Sequence, residues 1–264
     1  MEESILFHTI YPHKTSKVWV VFIHGAGGSS AIWFRQIRAY QKKYNILLLD
    51  LRGHGKSTNL VKAFVDSNYS FNKVSEDIID VLDHNKIENA HFVGISLGTI
   101  IIRNIAEIAP QYVSSMVLGG AITRFNTRSN SLVYLGNAFK HCVPYMWLYR
   151  LFAFIMMPKK RHKESRLLFV REAKRLCQKE FLRWFKLAME VNPLMQYFKE
   201  KEIDIPILYI MGREDHMFLG PVKEMVKQHK NSLLHTIQRC GHVCNVENPD
   251  AFNQHSIAFI DQQK

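Results

Sequence analysis

The sequence predicts an α/β domain built on a mostly parallel sheet with helices on both faces. Three observations predict it. Short apolar runs rich in β-branched residues stop abruptly at glycine or polar turns, as strands buried on both faces do. Between them lie stretches with apolar residues at helical spacing. The two kinds of segment alternate through the first 121 residues and again from residue 201. With 264 residues, 47% hydrophobic and 22% charged, the chain has room for one core and an insertion. Disorder and low complexity are excluded as its main character.

Residues 18–23 (VWVVFI) form the first buried strand, stopping at His24-Gly25-Ala26-Gly27-Gly28. Residues 29–41 read as a helix through Ile32, Trp33, Ile37 and Tyr40. Residues 46–49 are a second strand, ending at Asp50, and Val74, Ile78, Val81 and Leu82 repeat at helical spacing. A short strand at 90–93 runs into a helix at 97–108, and a strand at 113–118 ends at Gly119-Gly120. The alternation breaks after Ala121 and resumes with strands at 207–211 and 233–237 and helices at 221–228 and 249–260. This divides the chain into core residues 1–121, an insertion over 122–200 and core residues 201–264. Open parallel sheets bind ligands beyond the carboxyl ends of their strands, so the chemically suggestive residues are sought there.

Gly94-Ile95-Ser96-Leu97-Gly98 matches G-x-S-x-G, between an apolar strand and a helix. A strand turning straight into a helix strains the serine backbone. Glycines two before and two after remove the Cβ atoms that would collide there. Ser96 then stands clear beside the positive end of the helix that follows. A hydroxyl nucleophile needs a base, and His242 lies just beyond the last strand, between Gly241 and the final helix. That histidine needs a carboxylate to orient it. Asp215 follows the strand at 207–211, with Glu214 as the neighbouring competitor. The order Ser, Asp, His is one of the known serine-hydrolase arrangements. For an oxyanion hole, the donors expected are the backbone N–H groups of Leu97 and Ala26, with His24 and Gly25 shaping the turn. No phosphate-loop or dinucleotide fingerprint stands in a suitable place.

Together these residues resemble the α/β-hydrolase superfamily. The matching pieces are residues 24–28, Trp33, the segment Asp50-Leu51-Arg52-Gly53-His54-Gly55-Lys56-Ser57, residues 94–98, Asp215 and Gly241-His242. The resemblance covers residues 1–121 and 201–264. It implies roughly eight strands and a variable helical cap inserted after the sixth, where residues 122–200 fall. It makes residues 50–57 a structural loop, with no catalytic role for His54. A serine nucleophile speaks against haloalkane-dehalogenase or epoxide-hydrolase chemistry. The expected reaction is hydrolysis of a carboxylic ester, thioester or lactone of a small or amphiphilic molecule through an acyl-enzyme, without metal or organic cofactor. The alternatives are a signalling or receptor protein on the same fold, whose cap contacts a partner, and a carbon–carbon bond hydrolase.

The formal charge of +12 is concentrated in the insertion, where sixteen Lys/Arg face five Asp/Glu. Residues 142–157 (CVPYMWLYRLFAFIMM) are almost wholly apolar, but too short and interrupted to span a bilayer. Residues 159–186 read as a basic amphipathic helix. A cap of this kind is expected to gather an amphiphilic or anionic substrate, or to rest on an anionic membrane surface. Nucleic-acid binding is disfavoured, because no reading motif accompanies the cations. Four cysteines (Cys142, Cys177, Cys240, Cys244) form neither a disulfide scaffold nor a zinc spacing. No secretory signal is visible, and a reducing, cytoplasmic setting is expected.

Overall fold

A computed structural model describes residues 5–62, 69–125, 127–139, 142–189 and 191–263. Residues 1–4, where the expectation of no secretory signal begins, lie outside them. Seven strands are present among the described residues: β1 His8–Tyr11, β2 Trp19–Ile23, β3 Asn45–Leu49, β4 Ala90–Ile95, β5 Val113–Gly119, β6 Ile207–Gly212 and β7 Ser232–Ile237. They form one sheet in the order β1-β3-β2-β4-β5-β6-β7. Only β1 runs antiparallel, against β3. The count is seven where the resemblance implied roughly eight. The strand not anticipated from the sequence, β1, is a four-residue, half-buried edge segment with no apolar run.

The core follows from the strand period of two. Along β2 and β3, Val21, Ile23, Leu47 and Leu49 face one side of the sheet, where α2 (Phe71–His84) and α3 (Leu97–Ile108) pack with Val74, Ile78, Ile101 and Ile105. Val20, Phe22, Ile46 and Leu48 face the other. There Trp33, Tyr40 and Phe252, from the short 3-10 turn Ser30–Trp33, from α1 (Phe34–Tyr40) and from the last helix, close the layer. The helix expected over 29–41 is therefore two pieces, with Ser29 capping the first through Ala31.

Between β5 and β6, five helices stand among the described residues: α4 Thr127–Phe139, α5 Tyr145–Met156, α6 Lys163–Ala173, α7 Gln178–Met189 and α8 Val191–Glu200. The single basic helix expected over 159–186 is corrected here to a 3-10 turn at Lys160–His162 followed by α6 and α7. One apolar stripe does not serve all of its hydrophobic residues. Leu167 is exposed while Leu168 is buried against the sheet side, and Leu176, Phe181 and Phe185 form a separate cluster with Leu148 and Tyr149 of α5. After β6 come α9 (Leu219–Gln228), α10 (Cys244–Glu247) and α11 (Pro249–Asp261). No helix among the described residues is long and apolar enough to cross a membrane.

Candidate active site

Ser96 sits between β4 and α3 with φ 56° and ψ −124°, a conformation L residues rarely adopt. The glycines on either side answer to specific neighbours. A Cβ on Gly98 would lie 2.5 Å from the Ile23 carbonyl oxygen and 2.7 Å from that of His24. One on Gly94 would meet the Ile102 side chain at 2.4 Å and the Gly98 backbone at 3.2 Å. The clash therefore involves the end of β2 as well as the turn itself. Gly25 approaches from the β2 loop, where a Cβ would stand 3.0 Å from Ser96 Cβ.

The Ser96 hydroxyl donates to His242 Nε2 at 2.9 Å, and His242 Nδ1–H donates to Asp215 Oδ2 at 2.8 Å. His242 and Asp215 are each 2% exposed. The second Asp215 oxygen accepts the N–H groups of Met217 and Phe218 at 3.2 and 3.1 Å, which fixes the carboxylate plane. The Phe218 ring lies against the His242 imidazole, centroids 5.2 Å apart. Glu214 turns away and pairs with Lys159, Arg161 and His162. Burial would raise its carboxyl, but hydrogen bonds from Lys159 and His162 outweigh that and hold it below the usual range.

Two glycines absent from the sequence reading of the site make room for this convergence. A Cβ on Gly212 would fall 1.9 Å from the Gly241 carbonyl oxygen. Gly120, at φ +49°, would place one 2.2 Å from the His242 carbonyl oxygen. The only sequence signal for either was a glycine at a strand's carboxyl end.

Ala26 and Leu97 line the same cavity as Ser96. As the first residue of α3, Leu97 has no intrahelical acceptor for its N–H. The neighbouring Gly27 N–H is committed to His54 Nε2 at 2.9 Å, so it is not the inward donor. His54 Nδ1–H donates to the Arg52 carbonyl at 3.0 Å. His24 is held in the same manner, donating to the Gly25 carbonyl at 2.8 Å and accepting the Leu51 N–H at 3.0 Å. Each imidazole thus uses one donor and one acceptor, the pattern of the neutral ring. Burial lowers both, taking His54 down to about 3, with the neighbouring His24 adding to the effect. His54 therefore stands behind the glycine-rich loop as a structural support. From the insertion, Trp184 donates to the Arg52 carbonyl at 3.0 Å and packs edge-on against His54.

Above Ser96 a cavity of about 160 Å³ is lined by Phe152, Met156, Phe181, Trp184, Phe185 and Phe218 among others, with no charged side chain in its wall among the described residues. A smaller space of about 40 Å³ also reaches Ser96, and His242 with it, and is bounded by Met157, Ser165, Leu168 and Glu172. Cys240 and Cys244, flanking His242, are buried core residues whose thiols burial pushes up.

A family model described as alpha/beta hydrolase fold matches residues 18–136. The dihydrolipoyllysine-residue acetyltransferase component of an acetoin cleaving system from Pseudomonas putida is 28% identical over 255 residues, covering 91% of this chain and 63% of that protein. A 3-oxoadipate enol-lactonase 1 from Acinetobacter baylyi is 37% identical over 79 residues, covering 30% of this chain and 27% of that protein. In alignment the chain spans less than two thirds of either curated relative. The crystal structure of the enol-lactonase from Burkholderia xenovorans LB400 superposes with a TM-score of 0.79 at 17% identity, covering 97% of this chain and 96% of that one. Sheet order, nucleophile turn, family model and structural neighbour agree on one architecture: the chain has the α/β-hydrolase fold.

Proposed function

We propose that the chain is a serine hydrolase that cleaves a carboxylic ester, thioester or lactone through an acyl-enzyme on Ser96. The observation that carries this reading is the unbroken hydrogen-bonded relay from Ser96 through His242 to Asp215. In this reading Ser96 Oγ attacks the carbonyl carbon as His242 Nε2 takes its proton, and Asp215 stabilises the imidazolium. The Ala26 and Leu97 amides bind the alkoxide. His242 returns the proton to the leaving oxygen or sulfur, then activates the water that releases the acid. Residues 122–200 act as the cap that closes the site from solvent. The aromatic and methionine side chains that line the larger cavity suit an apolar acyl group.

The test is hydrolysis of nitrophenyl esters of rising acyl length, with Ser96→Ala as control. Each methylene buried in the cavity adds about 0.8 kcal/mol. kcat/KM should therefore climb roughly fourfold per carbon until the cavity is full. The reading fails if turnover survives Ser96→Ala. It also fails if the protein turns over once and retains the ligand, as a sensor would.

A further inference from the structure

Helix α5 presents apolar side chains on two opposite faces. Tyr149, Phe152 and Met156 line the cavity above Ser96. On the other face Trp147, Arg150, Leu151 and Phe154 follow at i, i+3, i+4 and i+7, a single stripe. Trp147 is 66% exposed, Leu151 39% and Phe154 58%. Helix α6 packs beside α5, and its Leu167 is 60% exposed. The next residue back, Arg166, lies over the Phe154 ring, which joins the two helices at this surface. Single exposed hydrophobics need no explanation, but these are concentrated. Of eleven large hydrophobic residues left exposed among the described residues, seven fall between Tyr134 and Leu167.

The charge around the stripe narrows what can cover it. Arg150, Lys160, Lys163 and Lys174 are exposed, and no carboxylate lies within ion-pair distance of them among the described residues. Lys159, Arg161, Arg171 and Arg175, by contrast, pair with Glu214 or Glu172. A second copy meeting this face about a two-fold axis would set one strongly cationic segment against another. An anionic phospholipid surface answers both properties, offering hydrocarbon to the stripe and phosphates to the cations.

We propose that α5 and the start of α6 dock on an anionic phospholipid bilayer. Trp147, Leu151, Phe154 and Leu167 enter the interface, and Arg150, Lys160, Lys163 and Lys174 meet the headgroups. This places the cavity-lining face of α5 about one helix diameter, roughly 10 Å, above the lipid. The docking surface is separate from the chemistry proposed at Ser96, so it is tested on the full chain carrying Ser96→Ala.

Co-sedimentation with phosphatidylcholine vesicles, with and without phosphatidylglycerol, reads the binding. Binding should be about tenfold or more tighter with phosphatidylglycerol and should weaken with salt. Trp147→Ser combined with Phe154→Ser should abolish it, and Arg150→Gln with Lys163→Gln should weaken it on anionic vesicles. Each variant is first checked to melt as the parent does. Brominated lipid should quench tryptophan fluorescence, and Trp147→Phe should remove the quenching while binding persists. Equal affinity for neutral vesicles, no binding, or binding without quenching at Trp147 overturns the proposal. So does a dimer in analytical ultracentrifugation that Phe154→Ser dissociates, which would assign the face to a second copy.

Discussion

His54 illustrates how a residue can matter to the site without touching the reacting atoms. Its neutral ring accepts the Gly27 N–H, which leaves the preceding amide, that of Ala26, for the role proposed for it beside Ser96. Its pKa, lowered by burial to about 3, lies well below the 6.5 of an unfolded histidine. Between those values the unfolded chain binds more protons than the folded one. The ring's contribution to stability is therefore complete above about pH 6.5 and declines as pH falls toward 3. His24 is displaced in the same direction and acts with it. Melting temperature should drop on acidification below pH 6.5, each ring contributing at most about 1.4 kcal/mol per pH unit. His54→Gln keeps an acceptor for Gly27 and does not titrate, so its melting temperature should depend less on pH than the parent's. Equal slopes in the two proteins would show that another group governs acid unfolding.

At the scale of elements, glycines placed where strand ends meet separate necessity from tolerance. Gly98 lies under the carbonyl oxygens of Ile23 and His24, which are backbone atoms and cannot swing aside. Gly98→Ala should cost about 3 kcal/mol or more by overpacking and disturb the Ser96 turn. Gly220, in the first turn of α9, has nothing within 4 Å of the site of a Cβ, so Gly220→Ala should stabilise by about 0.4–1 kcal/mol. Urea unfolding of both variants checks the contrast, and equal effects would defeat it. The same distinction explains what was legible beforehand. The strands ending at Ile23, Ile95, Gly212 and Ile237 were visible because each is a largely apolar run cut short by polar or glycine residues; Ser96 directly follows Ile95, and Asp215 and His242 lie three and five residues beyond Gly212 and Ile237. Gly120 and Gly212 were not recognised as part of the site. Their reason is contact with a loop distant in sequence, to which a local pattern is blind. β1 escaped because an antiparallel edge strand of four half-buried residues carries no distinctive apolar run. The choice between Glu214 and Asp215 turned on one residue of register, which the turn decides when the Glu214 N–H bonds the Cys240 carbonyl.

At the scale of the whole molecule, one buried imidazole of the insertion reaches two of the loops that build the site. His162, in the 3-10 turn that links α5 to α6 along the chain, is fully buried. Its Nε2 stands 3.0 Å from Glu214, the neighbour of Asp215, and 3.6 Å from Glu247. Glu247 in turn accepts the N–H of Gly241, the neighbour of His242, at 2.6 Å. The ring packs so closely on Gly241 that a Cβ there would lie 2.9 Å from it. One side chain of the insertion thereby braces the two loops that carry Asp215 and His242. Removing it withdraws the partner shared by two largely buried carboxylates, a change that typically costs several kcal/mol. Lys159 and Arg161 still serve Glu214, so for His162→Ala we expect the lower end of that range, about 3 kcal/mol. The loss should be local as well as global. Amide hydrogen exchange should quicken at residues 240–247, and kcat should fall about tenfold as the Ser96–His242 geometry loosens. Trp184→Phe, which removes a different bond between insertion and core, provides the control. It should leave exchange at 240–247 unchanged even where it lowers the melting temperature. If exchange in that loop rises equally in both variants, the insertion steadies the site through its packing as a whole and His162 holds no special place in it.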